Sequence, residues 1–451
     1  MLLKGLTTMQ LIYPLKFKTM ENELLKKIKN NNFKISVIGL GYVGLPLAVE
    51  FAKNGFEVYG IDIDKNKVKN INEGISYIND ISNNELLDLV KKNKIKAFEN
   101  YNILSEVDII IITVPTPLSK TKDPDLSYVL NAVNNIKNHL KKGHLIILES
   151  TTYPGTTDEV IKPILEESGL KCGSDFFLAF SPERINPGDK IYKIKNTPKI
   201  VGGVDEISGK LAYEVYSKII DSVIIVSSSK VAEMAKLLEN TFRAVNIALA
   251  NEIAIMCNIL KIDVWEVVES AGTKPFGFMK FYPGPGIGGH CIPIDPIYLS
   301  WKMKTLNYNA RLIEVASEIN TNMPRYVVQR IADILNEYEM SIKGSKILIL
   351  GVAYKRDVND IRESPAIDII SLLSDKGAIV YYFDPYIPKI QIGDLEIESV
   401  ELTKEVLKES DLVVLITDHS IFDYEFIYKN ANLIFDTKNA FKNYSEKIYK
   451  L

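Results

Sequence analysis

A thiol follows four glycines in Gly284-Pro285-Gly286-Ile287-Gly288-Gly289-His290-Cys291. Such a loop lets backbone amides approach a bound group and leaves the sulfur uncrowded, which is how a chain presents a nucleophile. Asp295, four residues on, could orient or protonate whatever forms there. A buried cysteine beside a glycine-rich turn has the same sequence, and the loop alone does not choose between the two. Lys236 and Asn240 lie four apart in a helix-forming stretch, with Arg243 beyond them, so the first two can project into one cleft. Asn is a poor helix former with no cap to make at 240, although solvated positions would also fit. Glu183, in Ser181-Pro182-Glu183-Arg184, is a candidate general base or water-positioning acid, or half of a surface ion pair with Arg184.

A second set of residues reads as a nucleotide site. Gly39-Leu40-Gly41-Tyr42-Val43-Gly44 follows a β-branched run and opens a helical pattern from Tyr42 to Asn54. The first glycine makes a tight turn, the second admits a pyrophosphate to the helix N-terminus, and the third allows close helix–strand packing. Asp62 ends the next strand, where a carboxylate accepts a ribose 2′-hydroxyl and repels a 2′-phosphate, so NAD rather than NADP is expected. Lys67 could touch the adenosine side or simply be solvated. Pro115 and Thr116, and then Ser150 and Thr151, follow later strand ends of the same sheet. They are placed for the nicotinamide side, though Thr and Pro also favour ordinary turns.

The elements that must hold these groups follow from periodicity. Strands are expected at Lys34 to Ile38, Glu57 to Ile61, Asp108 to Val114, Leu145 to Glu149 and Phe176 to Phe180, separated by helical stretches. A short charged helix, Glu21 to Lys29, leads into the first strand. From Lys230 to about Leu260 the pattern is one helix without Pro or Gly, which bridges lobes or forms a subunit interface. A loop from Lys274 to Pro296 and more helix to Tyr338 follow, and alternation then resumes at Ser345 to Gly351. A helix near Pro365 to Lys376 and strands at Ala378 to Phe383, Asp411 to Thr417 and Asn432 to Phe435 complete it. The fold class is α/β: two Rossmann-like doubly wound parallel sheets joined by a long central helix and a helical middle domain. The expected bounds are 1–32 for an N-terminal extension, 33–226, 227–338 and 339–451. In the last unit Tyr354, Lys355, Arg356 and Arg362 meet a helix start, where a sheet binds anions, although a charged loop with compensating acids would read the same.

Composition narrows the setting. The chain has 451 residues, 46% hydrophobic and 25% charged, with a net charge of -3, which gives no footprint for nucleic acid. Three irregularly spaced cysteines argue for a reducing, cytoplasmic compartment rather than a disulfide framework. No apolar run is read as long enough to span a bilayer, the first twenty residues fail as a signal peptide, and no metal site is expected.

In their order, the glycine fingerprint, Ser150-Thr151, Ser181-Pro182-Glu183, Lys236-x-x-x-Asn240, Gly288-Gly289-His290-Cys291-x-x-x-Asp295 and Lys355 to Ser364 resemble the UDP-glucose/GDP-mannose dehydrogenase family. The resemblance runs from about Lys34 to the C-terminus. It implies an NAD domain, a homodimer through the long helix and a C-terminal UDP-sugar domain. It also implies oxidation of a sugar C6 alcohol to a carboxylate with two NAD, feeding surface polysaccharide synthesis. Cys291 would then form a thiohemiacetal and a thioester, Lys236 and Asn240 would hold the oxyanion, and Glu183 or Asp295 would activate water. Thr151 would join the catalytic group, and Lys355 and Tyr354 would hold the UDP-sugar with Glu183, Arg184, Tyr282, Gly284, Gly286 and Gly288. Arg362 would hold NAD. Gly272 to Phe278, without the Arg of UDP-glucose enzymes, and Arg184-Ile185-Asn186-Pro187 resemble the branch acting on UDP-N-acetylhexosamines. Within it UDP-N-acetyl-D-glucosamine is the expected substrate and the mannosamine epimer the runner-up.

Overall fold

The computed structural model describes residues 19–451 except 79, 120, 185–190, 394 and 443–445. Ile185, Asn186 and Pro187, and most of the expected N-terminal extension, therefore lie outside the described residues.

Two sheets organise the chain. The first runs in the order β3-β2-β1-β4-β5-β6-β7-β8. Its strands are β1 (Lys34–Ile38), β2 (Glu57–Ile61), β3 (Ile95–Phe98), β4 (Ile109–Ile112), β5 (Leu145–Leu148), β6 (Phe177–Phe180), β7 (Lys199–Gly203) and β8 (Val223–Val226). β4 is four consecutive isoleucines, all buried, as a central strand covered by helices on both faces requires. All pairings are parallel except β6 with β7. The strand order reverses between β1 and β4, so the loops leaving their C-terminal ends bound a crevice.

The second sheet, β10-β9-β13-β14-β15, is wholly parallel. It comprises β9 (Lys346–Leu350), β10 (Ile379–Phe383), β13 (Leu412–Leu415), β14 (Ile434–Asp436) and β15 (Ile448–Lys450); β11 (Lys389–Ile392) and β12 (Leu395–Glu398) form a separate antiparallel hairpin. Strands β3, β7, β8, β11, β12 and β15 were not expected from sequence. Lysines interrupt the apolar pattern in β3, β11 and β15, and a lysine and two glycines bracket that of β7.

Three long helices span the middle, Ser229–Leu260, Cys291–Thr305 and Arg311–Glu337, with the short helix Val264–Ala271 between the first two. The expected loop to Pro296 is six residues too long, because the helix begins at Cys291 itself and carries Pro296 inside it. The first of the three, contrary to the sequence expectation, is long and apolar enough to cross a membrane by length and composition. Within it Glu233, Lys236, Asn240 and Asn251 are buried, while Leu238, Phe242, Leu249 and Ile259 are exposed.

The helix Thr19–Lys29 belongs to the first sheet's core rather than standing outside it: Leu24 and Ile28 are buried among Phe33, Val49 and Tyr216. Ile28→Ala is therefore expected to destabilise the protein by about 2–4 kcal/mol in urea unfolding, whereas a functionless extension would show no change.

Candidate active site

The glycine turn is built as the fingerprint requires. Gly39 has φ +92°, and a Cβ there would meet the Thr113 carbonyl oxygen at 2.8 Å. At Gly44 a Cβ would sit 1.8 Å from the Gly39 carbonyl oxygen, so helix and turn touch backbone to backbone. A Cβ at Gly41 would meet nothing within 4 Å. The three glycines thus divide as expected: two for packing and one facing open space over the start of the helix Gly44–Lys53, where a pyrophosphate fits. Asp62 is buried at the end of β2; its Oδ2 accepts the Leu40 amide at 2.8 Å and its Oδ1 the Asp64 amide at 2.9 Å. Lys67 Nζ stands 3.6 Å from Asp62. Thr116, Ser150 and Thr151 are buried at neighbouring strand ends, with Ser150 Oγ donating to the Val114 carbonyl at 2.7 Å, while Pro115 is exposed. These residues fit a dinucleotide lying across the crevice.

The second group converges from three elements. On the long helix, Lys236 Nζ donates to the Glu183 carbonyl oxygen at 2.8 Å and lies 3.3 Å from its carboxylate. One turn on, Asn240 Nδ2 donates to Asp295 Oδ2 at 2.6 Å. Asp295 is one turn beyond Cys291, and its Oδ1 is buried without a partner. All five groups are thereby brought together, and Lys236, Asn240, Glu183 and Asp295 are all buried. Arg243 is exposed on the outer face of the same helix. The ion pair of Glu183 with Arg184 does not form: Arg184 binds Glu239 on the long helix and donates to the Pro198 carbonyl at 2.8 Å.

Burial dominates the electrostatics. It pushes the Cys291 thiol up to about 12 against the downward pull of Lys236, so the resting sulfur is protonated. Asp295 is raised to about 6 by burial, partly offset by Lys236 and Asn240. Burial lowers the Lys236 ammonium, but Glu183, Cys291 and Asp295 outweigh it and hold the group above its ordinary value. His290 is lowered to about 4 by burial and by Arg362, and is neutral at physiological pH.

Two of the glycines before Cys291 also make room for the second sheet. A Cβ at Gly288 would lie 2.7 Å from Tyr354 Cβ, and one at Gly289 would lie 2.8 Å from the Tyr354 ring. Their bareness is used to seat the second sheet's Tyr354 against the thiol loop, and Gly289 donates its amide to the Arg362 carbonyl at 2.9 Å. Arg362 reaches the glycine turn, its guanidinium 5.3 Å from the centre of the Tyr42 ring and its Nη2 2.7 Å from Asp360. Val43 precedes the first turn of that helix. Lys355 is half-buried on the same loop as Tyr354. Tyr282 is directed elsewhere, stacked on Trp265 with its hydroxyl on Glu269 at 2.7 Å. Gly286 packs on Pro365.

Sequence reasoning missed two supports. Asn251 accepts the Gly284 amide at 2.9 Å and donates to Asn320 at 2.9 Å, which fixes the loop between two helices. Glu233, one turn before Lys236, accepts the Gly155 and Thr157 amides at 2.7 and 2.9 Å. Asn and Glu amid apolar helical neighbours were the available signal.

Two nucleotide-type sheets, a glycine turn and a half-buried thiol beside a buried lysine–carboxylate group define an NAD-linked dehydrogenase. The chain belongs to the UDP-glucose/GDP-mannose dehydrogenase family: the NAD binding domain matches residues 33–220, the central domain 230–322 and the UDP binding domain 348–443. It is accordingly an NAD-dependent UDP-sugar dehydrogenase. It is 38% identical to the UDP-N-acetyl-D-mannosamine dehydrogenase of Methanocaldococcus jannaschii, over 92% of this chain and 95% of that one. With the UDP-N-acetyl-D-glucosamine 6-dehydrogenase of Pseudomonas aeruginosa the identity is 39%, over 79% and 83%. The solved UDP-D-ManNAc dehydrogenase of Pyrococcus horikoshii superposes with a TM-score of 0.84 at 34% identity, covering 92% of this chain and 98% of that one.

Two outcomes follow from the geometry. Gly44→Ala is expected to abolish NAD binding and lower the melting temperature, while Gly41→Ala keeps the melting temperature and weakens NAD about tenfold, both read by calorimetry. For Asp295 the folded carboxyl lies at about 6 and the unfolded one at 3.8, so its contribution to stability is favourable below 3.8 and is lost as pH rises to about 6. Asp295→Asn should therefore be more stable than the parent above pH 6, by on the order of 2–3 kcal/mol, with the advantage vanishing in thermal unfolding near pH 4; a variant less stable than the parent at pH 7 would refute this.

Proposed function

We propose that the protein oxidises the C6 alcohol of UDP-N-acetyl-D-mannosamine to the uronate in two oxidations, through a covalent bond to Cys291. The observation that carries the chemistry is the convergence of half-buried Cys291 with buried Asp295, Lys236, Asn240 and Glu183. The mannosamine substrate replaces the glucosamine expected from sequence. What supports it is that relatives and solved structures named for the mannosamine sugar align over nearly their whole length with this chain. Enzymes named for the glucosamine epimer align too, which keeps that sugar as the second reading.

Gly39 to Gly44, Asp62, Thr116, Ser150 and Arg362 would hold NAD, with Lys67 and Thr151 at its edges. When bound, NAD supplies a hydride acceptor for each of the two oxidations at C6. Lys236, kept cationic by Glu183, cannot serve as a base at rest; it stabilises the developing C6 oxyanion as the hydroxyl proton leaves to solvent water and the hydride leaves C6. The second N–H of Asn240 is free to assist, since the first holds Asp295. Between the oxidations the Cys291 sulfur adds to the C6 aldehyde carbon and its proton passes to Asp295 Oδ1, the unpartnered oxygen. After the second oxidation C6 is a thioester. Water adds to it, losing a proton to Glu183; the C6–S bond breaks, and the sulfur leaves with the electron pair and recovers its proton from Asp295. Tyr354 and Lys355, with the loop Gly284 to Gly288, form the UDP-sugar side. We place a homodimer contact on the exposed apolar face Leu238, Phe242, Leu249 and Ile259 of the long helix.

A panel of UDP-sugars with NAD, followed by NADH absorbance and product mass, tests this. Two NADH per sugar are expected, with UDP-N-acetyl-D-mannosamine turned over fastest and Cys291→Ser releasing no uronate. One NADH and a stable aldehyde would sink the covalent route, and faster turnover of the glucosamine epimer would reverse the substrate.

A further inference from the structure

Residues 181–184 leave β6 without a helix or strand of their own, yet they carry Glu183. Side-chain contacts with the neighbouring segment 198–200 replace the missing ladder. Ser181 Oγ donates to the Ile200 carbonyl at 2.8 Å, Lys199 Nζ donates to the Pro182 carbonyl at 3.2 Å, and Arg184 Nη1 donates to the Pro198 carbonyl. Lys236 takes the next carbonyl, that of Glu183. Two consecutive carbonyls are thus each held by a different buried lysine. Fixing the Pro182 carbonyl fixes the peptide plane that leads into Glu183, and with it the direction in which the Glu183 side chain leaves the backbone.

Lys199 is itself held. Its Nζ lies 3.1 Å from Glu149 Oε2 and 4.7 Å from the centre of the Tyr216 ring. The Tyr216 hydroxyl donates to the other Glu149 oxygen. All three side chains are buried. A buried ion pair is a weak source of stability, since apolar residues of the same volume commonly do as well. What an apolar pair could not supply is a donor to the Pro182 carbonyl. Glu149 also directly precedes Ser150 and Thr151, so the pair ties that loop to the Glu183 loop.

We propose that Lys199, oriented by Glu149 and Tyr216, is a positioning residue that aims Glu183 at the hydrolytic water. The inference rests on the role given above to Glu183 in thioester hydrolysis. The step it governs is addition of water to C6 with its proton passing to Glu183, followed by C6–S cleavage and departure of the sulfur. The oxidations that precede it do not draw on the Glu183 carboxyl as a proton acceptor.

The test uses the full-length protein with NAD and the UDP-N-acetylhexosamine that the parent oxidises. Lys199→Met combined with Glu149→Gln removes both charges, so that neither is left buried alone; Glu183→Gln is the reference. In rapid mixing the double variant should form two NADH per site at rates within about threefold of the parent, then turn over about tenfold to a hundredfold more slowly. Intact mass should show the sugar bound to the enzyme in both variants. A double variant that fails to fold, or that loses the rapid phase and the steady state together, overturns the inference, because the pair is then merely structural. An adduct in Glu183→Gln but not in the double variant overturns it too, while leaving the reading of Glu183 intact. If Glu183→Gln gathers no adduct, the role of Glu183 falls and the inference falls with it.

Discussion

One ammonium group, Lys236 Nζ, holds the site together. A charge so buried costs several kcal/mol unless it is paired and hydrogen-bonded. The carbonyl and carboxylate of Glu183 meet that demand from the first sheet, while Asp295 and Cys291 on the next helix lie within its field. The long helix can satisfy its lysine only by docking where the Glu183 loop and the start of the thiol helix already meet. Packing reinforces this: Leu237, Ile294, Tyr298 and Leu299 form a small apolar cluster there, and the Tyr298 hydroxyl reaches the Pro117 carbonyl at 3.1 Å. The electrostatic and the apolar requirements select one docking geometry.

The second sheet completes this arrangement from the other side. Tyr354 fits against Gly288 and Gly289 because neither has a side chain, and Arg362 lies over Tyr42 of the glycine turn. The loop bearing Tyr354, Lys355 and Arg362 therefore touches both the thiol loop and the nucleotide turn. A ligand bound between the sheets would contact residues from each. In the proposed reaction this matters because an aldehyde must stay beside the sulfur, out of bulk water, between two oxidations.

What the sequence disclosed is what local spacing encodes. Gly39, Gly41 and Gly44 act within one turn, Lys236 and Asn240 share a helix face, and Cys291 and Asp295 share another, so each pattern is complete in a few residues. The outline of both sheets was legible for a similar reason, because buried parallel strands such as Ile109–Ile112 read as unbroken apolar runs. Partnerships across the fold were not legible. Nothing near Glu183 says that it pairs with Lys236, 53 residues away, rather than with adjacent Arg184, whose own partner is Glu239. Nor does anything near Gly288 and Gly289 say that Tyr354, from the second sheet, packs against both. Choice of sugar epimer is harder still, since one hydroxyl contact can decide it and many sequences can supply one.

The protonation states also belong to this assembly rather than to any one residue. At a helix start beside a lysine, a thiol would ordinarily ionise easily. Here burial prevails and Cys291 rests as a neutral thiol, which protects the sulfur from oxidants. The same burial lifts Asp295 to about 6, close enough to neutrality to take a proton and return it, where an exposed aspartate would hold it too weakly. A sulfur that is inert until an electrophilic carbon arrives, and an acid tuned to exchange its proton, are two consequences of the same desolvation. Lys236 is what makes that burial tolerable, for its charge is attracted to both the Glu183 and the Asp295 carboxyl groups.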